Sequence, residues 1–251
     1  MRAVRAEGPE NASIAATLAD AVLPLAPERR LAGVPLAWLR EAGLVLGFAW
    51  FVALCAQIAV HVPWTPVPIT GQTFAVLVTG GALGAWRGGA SLTVYMLMGI
   101  IGIPVFAPAF GAETGDWYIH FILSSSGSWD GTAAAVWDLS SGGYIVGFIF
   151  SAMLVGWLAE RQWDRKPWVH LGMLLGNMTL YIPGLLWLAW WIADKGLVPE
   201  GAGLWDKTLD WGLYPFIVGD LMKLVLASLT LPLGWALVHR LKGRKESDSW
   251  T

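Results

Sequence analysis

The stretch Gly43–Val60, GLVLGFAWFVALCAQIAV, decides the fold: its eighteen residues carry no charge. An uncharged apolar run of this length reads as a transmembrane helix, because within lipid a helix satisfies its backbone amides inside the segment itself. Working outward, the segment starts near Leu36 and runs to Val62. Pro63, Pro66 and Pro68 then stop it, since proline lacks the amide donor and restricts the residue before it.

Further apolar stretches follow at Thr73–Trp86, Ala90–Ile103, Gly142–Ala159, Leu171–Ala193 and Tyr214–Val238. The second and third spans are short for a hydrocarbon core of about 30 Å. They are expected to tilt, to be buried by neighbours, or to be extended by flanking residues. Composition agrees with lipid as the solvent. Only 14% of residues are charged, against about 25% in a soluble domain. The expected fold class is all-α, a polytopic bundle of six transmembrane helices.

Charge sets the orientation. With the N-terminus inside, the inner segments hold thirteen of the sixteen cationic residues, Arg40, Arg87, Arg161 and Arg240 among them, and the outer loops hold Lys195 and Lys207. Positive charge collects on the cytoplasmic side, so both termini are expected in the cytoplasm of a cell-membrane protein. Three parts follow: a cytosolic N-terminal extension over 1–35 with a surface helix near Ser13–Leu23, a membrane domain over 36–240, and a cytosolic basic tail over 241–251. The outer loop 104–140 has no cation and carries Glu113, Asp116 and Asp130. A net charge of -2 gives no electrostatic footprint for nucleic acid. Cys55 is the single cysteine and cannot form an internal disulfide; it reads as a core residue.

The chemistry concentrates in the last span. Asp220 and Lys223 stand three positions apart, on one helix face, within an apolar segment. Ionisable groups at membrane depth face a cavity or a partner. Either the two pair only with each other to fix packing, or they grip a polar ligand; Lys223 is the only cation in the interior of a span, Arg40 lying at the start of the first, which favours the ligand. The stiff loop Val67–Thr73 adds Thr70 and Gln72, as ligand contacts or as a helix cap. Tyr144, after Gly142 and Gly143, offers an apolar ring with a hydroxyl, and Asn177 is a span amide that needs a partner. Ala49 and Ala53 form a small-xxx-small pair in the first span. No GK[ST] phosphate loop, no histidine pair at metal-ligand spacing and no Gly-x-Ser-x-Gly occur, so the chain reads as neither an ATPase nor an obvious enzyme.

These pieces in this order resemble the BioY family, the biotin-binding S components of energy-coupling-factor (ECF) transporters. The resemblance rests on VPITGQTFAVLVTGGALG (67–84), RGGASLTVYMLMGIIGIPVF (87–106), SSGGYIVGFIFSAMLVGWLAER (140–161), GNMTLYIPGLLWLAW (176–190) and PFIVGDLMKLVLA (215–227). It implies a six-helix bundle that binds biotin near its outer face and works with a T component and two ATPases. Asp220, Lys223 and Gln72 are carried over as biotin ligands, with Thr70, Tyr144 and Asn177 beside them, and Ala49 and Ala53 as the contact to the T component. No cofactor is implied, membrane lipid surrounds the bundle, and self-association stays open. The stretch between Phe106 and Gly142 is roughly 20 residues longer than the family pattern, which touches pocket residues expected just after Pro104-Val105-Phe106. An S component for another vitamin, such as thiamine or riboflavin, and an intramembrane enzyme using Asp220 and Lys223 are the alternatives.

Overall fold

Six helices follow the six apolar stretches. The structure, a computed structural model, describes residues 17–24, 30–31, 34–107, 118–120, 136–164, 167–198, 201 and 203–248. In chain order the helices are α1 (Leu18–Val22), α2 (Leu36–Ala56), α3 (Gln72–Leu83), α4 (Ala85–Ile100), α5 (Gly142–Ala159), α6 (Val169–Asp194), α7 (Leu204–Gly212) and α8 (Ile217–Asp248). Helices α2, α5, α6 and the stretch Leu204–Leu241, which includes most of α8, are long and apolar enough to cross a membrane. Most of loop 104–140, residues 1–16 and residues 249–251 lie outside the described residues.

The two short spans have a structural reason. Eleven of the twelve residues of α3 are buried, all but Phe74. It is the central helix, walled in by α2, α4, α5 and α8, and so need not match the bilayer. Gly84, at φ 87°, turns the chain from α3 straight into α4 in a conformation that suits glycine. Glu160 of α5 caps the start of α4 by accepting from the Ala85 amide at 2.8 Å.

Helix α2 ends at Ala56, six residues before the expected Val62. Past Gln57 the chain turns into strand β3 (Ala59–His61), which pairs antiparallel with β4 (Ile69–Thr70) on one side and β5 (Tyr118–His120) on the other. Two further short strands, Arg30–Leu31 and Val34–Pro35, pair ahead of α2. The ladder supplies backbone partners to a non-helical segment packed inside the protein, the setting in which such a segment is tolerated at membrane depth. Helix α7 corresponds to none of the six apolar stretches. A 3-10 turn at Tyr214–Phe216, with Pro215 inside it, then delays α8 to Ile217.

Helices α5 and α6 pack most closely. A Cβ on Gly143 would stand 2.2 Å from the Trp187 Cβ, and one on Gly147 would stand 2.7 Å from the Leu180 carbonyl oxygen. Most exposed tryptophans gather at the ends, Trp38, Trp86, Trp157 and Trp168 near the basic end and Trp64, Trp137, Trp190 and Trp205 at the opposite end, with Trp50 alone midway along α2 among the described residues. Such a double belt suits two membrane–water interfaces.

The described part of the N-terminal segment docks on the bundle. Leu18 reaches Gly234 of α8, and Ala21 packs with Trp235 and Val238. Asp20 joins it electrostatically, pairing with Arg40 of α2 at 2.7 Å and Arg87 of α4 at 2.9 Å. Arg87 also meets both oxygens of Glu41. Burial alone would raise the Asp20 pKa, but hydrogen bonds from Thr17 and Arg40 and the charge of Arg87 outweigh it and hold the carboxyl below its ordinary value.

Candidate ligand-binding site

At the end opposite the basic cluster, the starts of α3, α5 and α8 converge with the middle of α6 and the segment at Phe106 around a narrow cleft of about 540 Å³, its open mouth included. Apolar and aromatic side chains form most of the wall, among them Phe106, Ile145, Phe148 and Phe216. The polar groups that line it are Thr70, Gln72, Thr73, Ser141, Asp220 and Lys223, with Tyr144 and Tyr181.

Asp220 and Lys223 do pair, with Nζ 2.8 Å from Oδ1. Their side chains are 4% and 14% exposed, so both charges are withdrawn from solvent. The other carboxylate oxygen, Oδ2, accepts from the Tyr181 hydroxyl of α6 at 2.7 Å. The pair braces α6 against α8 through Tyr181, and it lines the cleft. Each carboxylate oxygen accepts one of these hydrogen bonds and keeps a lone pair. Lys223 keeps two N–H donors beyond the one it gives Asp220.

Gln72 opens α3, where the chain leaves β4. Its amide hydrogen-bonds at both ends: Oε1 accepts from Thr70 Oγ1 at 2.8 Å, and Nε2 donates to the Tyr95 hydroxyl of α4 at 2.6 Å. Thr70 Oγ1 in turn accepts from the Gln72 backbone amide at 3.3 Å, so the threonine serves both as helix cap and as cleft wall. Tyr144 meets the Tyr181 ring edge-on, 5.9 Å between centroids, and donates its hydroxyl to the Gly212 carbonyl at 2.7 Å, tying α5 to α7.

Of the residues expected at the site, Thr70, Gln72, Tyr144, Asp220 and Lys223 line one cleft. Asn177 does not line it; its Oδ1 is buried without a hydrogen-bond partner, one helical turn below Tyr181. Ala49 and Ala53 face inward and are buried in the core with Leu92 and Tyr95. The outward side of α2 instead presents Gly43 and Gly47, with nothing within 4 Å of either Cβ position. Three participants were not assigned to the site from the sequence: Tyr181, Tyr95 and Phe106. Tyr181 follows Asn177 by four positions and shares its helix face, and Phe106 ends the Pro104-Val105-Phe106 stop, so both carried a signal. Tyr95 carried none beyond being the one tyrosine in its span.

A six-helix membrane bundle with a short, enclosed central helix and a charged pair opening onto an end cleft defines the class: a membrane protein built to hold a small ligand. Its fold is that of a crystal structure of the S-component for biotin from an ECF-type ABC transporter. The two share a TM-score of 0.53 at 18% identity, over 82% of this chain and 92% of that one. The BioY family profile matches residues 27–120 and 129–240, and the chain belongs to the BioY family. The break in that match, residues 121–128, falls inside loop 104–140. Among its relatives, the probable biotin transporter BioY of Pyrococcus horikoshii is 30% identical over 75% of this chain and 91% of its own. The biotin transporter BioY of Thermotoga maritima is 29% identical, over 68% and 82%. That of Rhodobacter capsulatus is 32% identical, over 65% and 76%.

Proposed function

We propose that the chain binds biotin in this cleft and mediates biotin uptake across the cell membrane. The observation that carries the reading is the Asp220–Lys223 pair: buried, supported by Tyr181, and facing a cleft rather than lipid in a member of the BioY family. Biotin's ureido ring offers two N–H donors beside a carbonyl acceptor. The carboxylate of Asp220 and the amide of Gln72 suit those donors, and Lys223 and Gln72 supply donors in return. The apolar bicycle and tail suit the wall of Phe106, Phe148 and Phe216. A site built of buried polar groups penalises any ligand that leaves them unpaired, so the cleft is selective. Relatives named as biotin transporters support the choice of vitamin.

With no phosphate-binding loop of its own, the chain draws energy from an ECF module, a T component with two ATPases. Ala49 and Ala53 being buried in the core, we propose that contact on the outer side of α2, where Gly43 and Gly47 leave room for a close helix. Both termini lie in the cytoplasm and the cleft faces outward, by the distribution of cations.

Titration calorimetry of the detergent-purified chain with biotin, thiamine and riboflavin tests the reading. One biotin site per chain, with no heat from the other two vitamins, is expected. Absence of biotin binding, or equal binding of another vitamin, contradicts it.

A further inference from the structure

We infer that Tyr95, which does not line the cleft, sets the selectivity of the site by fixing the side-chain amide of Gln72. Tyr95 is fully buried on α4, and its hydroxyl accepts from Gln72 Nε2 at 2.6 Å. A glutamine amide left to itself rotates broadly about its last torsion, with two nearly equivalent settings that exchange oxygen for nitrogen. Here Thr70 Oγ1 accepts from the Gln72 backbone amide and donates its own proton to Oε1, while Tyr95 holds Nε2, so the turned amide would leave the Thr70 proton without an acceptor and a single setting is selected. The Tyr95 ring is itself located by Phe106, which meets it edge-on with centroids 5.6 Å apart. Gln57 anchors that phenylalanine in turn, donating Nε2 to the Phe106 carbonyl at 3.0 Å.

One N–H and one lone pair of the Gln72 amide remain after these two bonds. Their relative placement is fixed before any ligand arrives. A free amide N–H and a free amide lone pair complement a cyclic urea, which offers a carbonyl acceptor and N–H donors. This step rests on the biotin reading above. Tyr95 is therefore a positioning residue: it acts on the ligand only through Gln72. Removing its hydroxyl frees the amide to turn, which weakens binding and relaxes the preference for an intact urea.

The test is a double-mutant cycle in calorimetry with Tyr95→Phe and Gln72→Met, singly and together. The Phe variant keeps the ring and its contact on Phe106. It is expected to bind biotin about tenfold more weakly, the effect of one well-placed hydrogen bond. Desthiobiotin, which keeps the urea, should weaken by the same factor. The preference for biotin over diaminobiotin, whose urea is opened to two amines, should narrow. In the Gln72→Met background, Tyr95→Phe should change biotin affinity less than twofold. Parent-like biotin affinity in Tyr95→Phe overturns the inference, as does an equal loss in both backgrounds. A fall of more than about 10 °C in the ligand-free melting midpoint also overturns it, by making Tyr95 a structural residue. Failure of the parent chain to bind biotin overturns the reading beneath it and this inference with it.

Discussion

Tyr181 donates to Asp220 across the α6–α8 boundary, and without it one oxygen of a buried carboxylate has no donor. Leaving such a group unsatisfied costs about 1–3 kcal/mol. Tyr181→Phe is therefore expected to lower the melting midpoint and to weaken biotin binding together, read by thermal unfolding and calorimetry on one preparation; unchanged values for both would remove Tyr181 from the site. At this scale the sequence was readable where a residue broke the local rule. Two opposite charges in an apolar span have few explanations, and a stiff proline-flanked loop ending in Thr70 and Gln72 points inward for the same reason. Asn177 shows the limit. It carries a similar signal, an amide inside a span, yet it lies a turn below the cleft. Sequence gives depth along a helix, but which neighbour stands at that depth depends on how the helices are arranged. Tyr95 was invisible for a related reason, because its partner Gln72 is 23 positions away on another helix.

Elements were legible in proportion to their length and uniformity. Gly142–Ala159 has the bounds its apolar run predicts, and α6 starts two residues before the predicted one. The end of α2 was not legible, since strand pairing with residues 69–70 and 118–120 competes there with helix continuation. Helix α7 has nine residues and mixes Trp205, Asp206, Lys207 and Asp210, a pattern without the uniform apolarity of a span. Close packing gives this scale its own prediction. At Gly147 a side chain runs into the Leu180 backbone of α6, which has little freedom to retreat. Gly147→Leu should force α5 from α6 and destabilise the bundle by about 1–3 kcal/mol or more. A melting midpoint equal to that of the parent would show that the interface yields more easily than the structure implies.

Across the whole molecule, charge is divided between two ends. The cleft end keeps one buried pair, while the basic end carries a network that joins α1, α2 and α4 through Asp20, Arg40, Glu41 and Arg87. The N-terminal segment read as an extension thus has its described part fastened to the bundle. Because the folded state lowers the Asp20 pKa, its contribution is complete above the unfolded value of 3.8 and is lost as pH falls through the lower folded value. The stability gap between the parent and Asp20→Asn should stay constant from pH 7 to about pH 5 and close only below about pH 4. A gap that closes between pH 5 and 7 would contradict the assignment to Asp20.

The central claim is that Asp220 and Lys223 are tolerated inside the bundle because a vitamin completes their coordination. Calorimetric titration with biotin of Asp220→Asn and Lys223→Ala, each beside the parent, tests it most directly. Truncating one partner of a buried hydrogen-bonded charge pair costs about 2–5 kcal/mol, so both variants should bind at least about thirtyfold more weakly. Parent-like affinity in both would mean that the pair serves helix packing alone and that the ligand sits elsewhere.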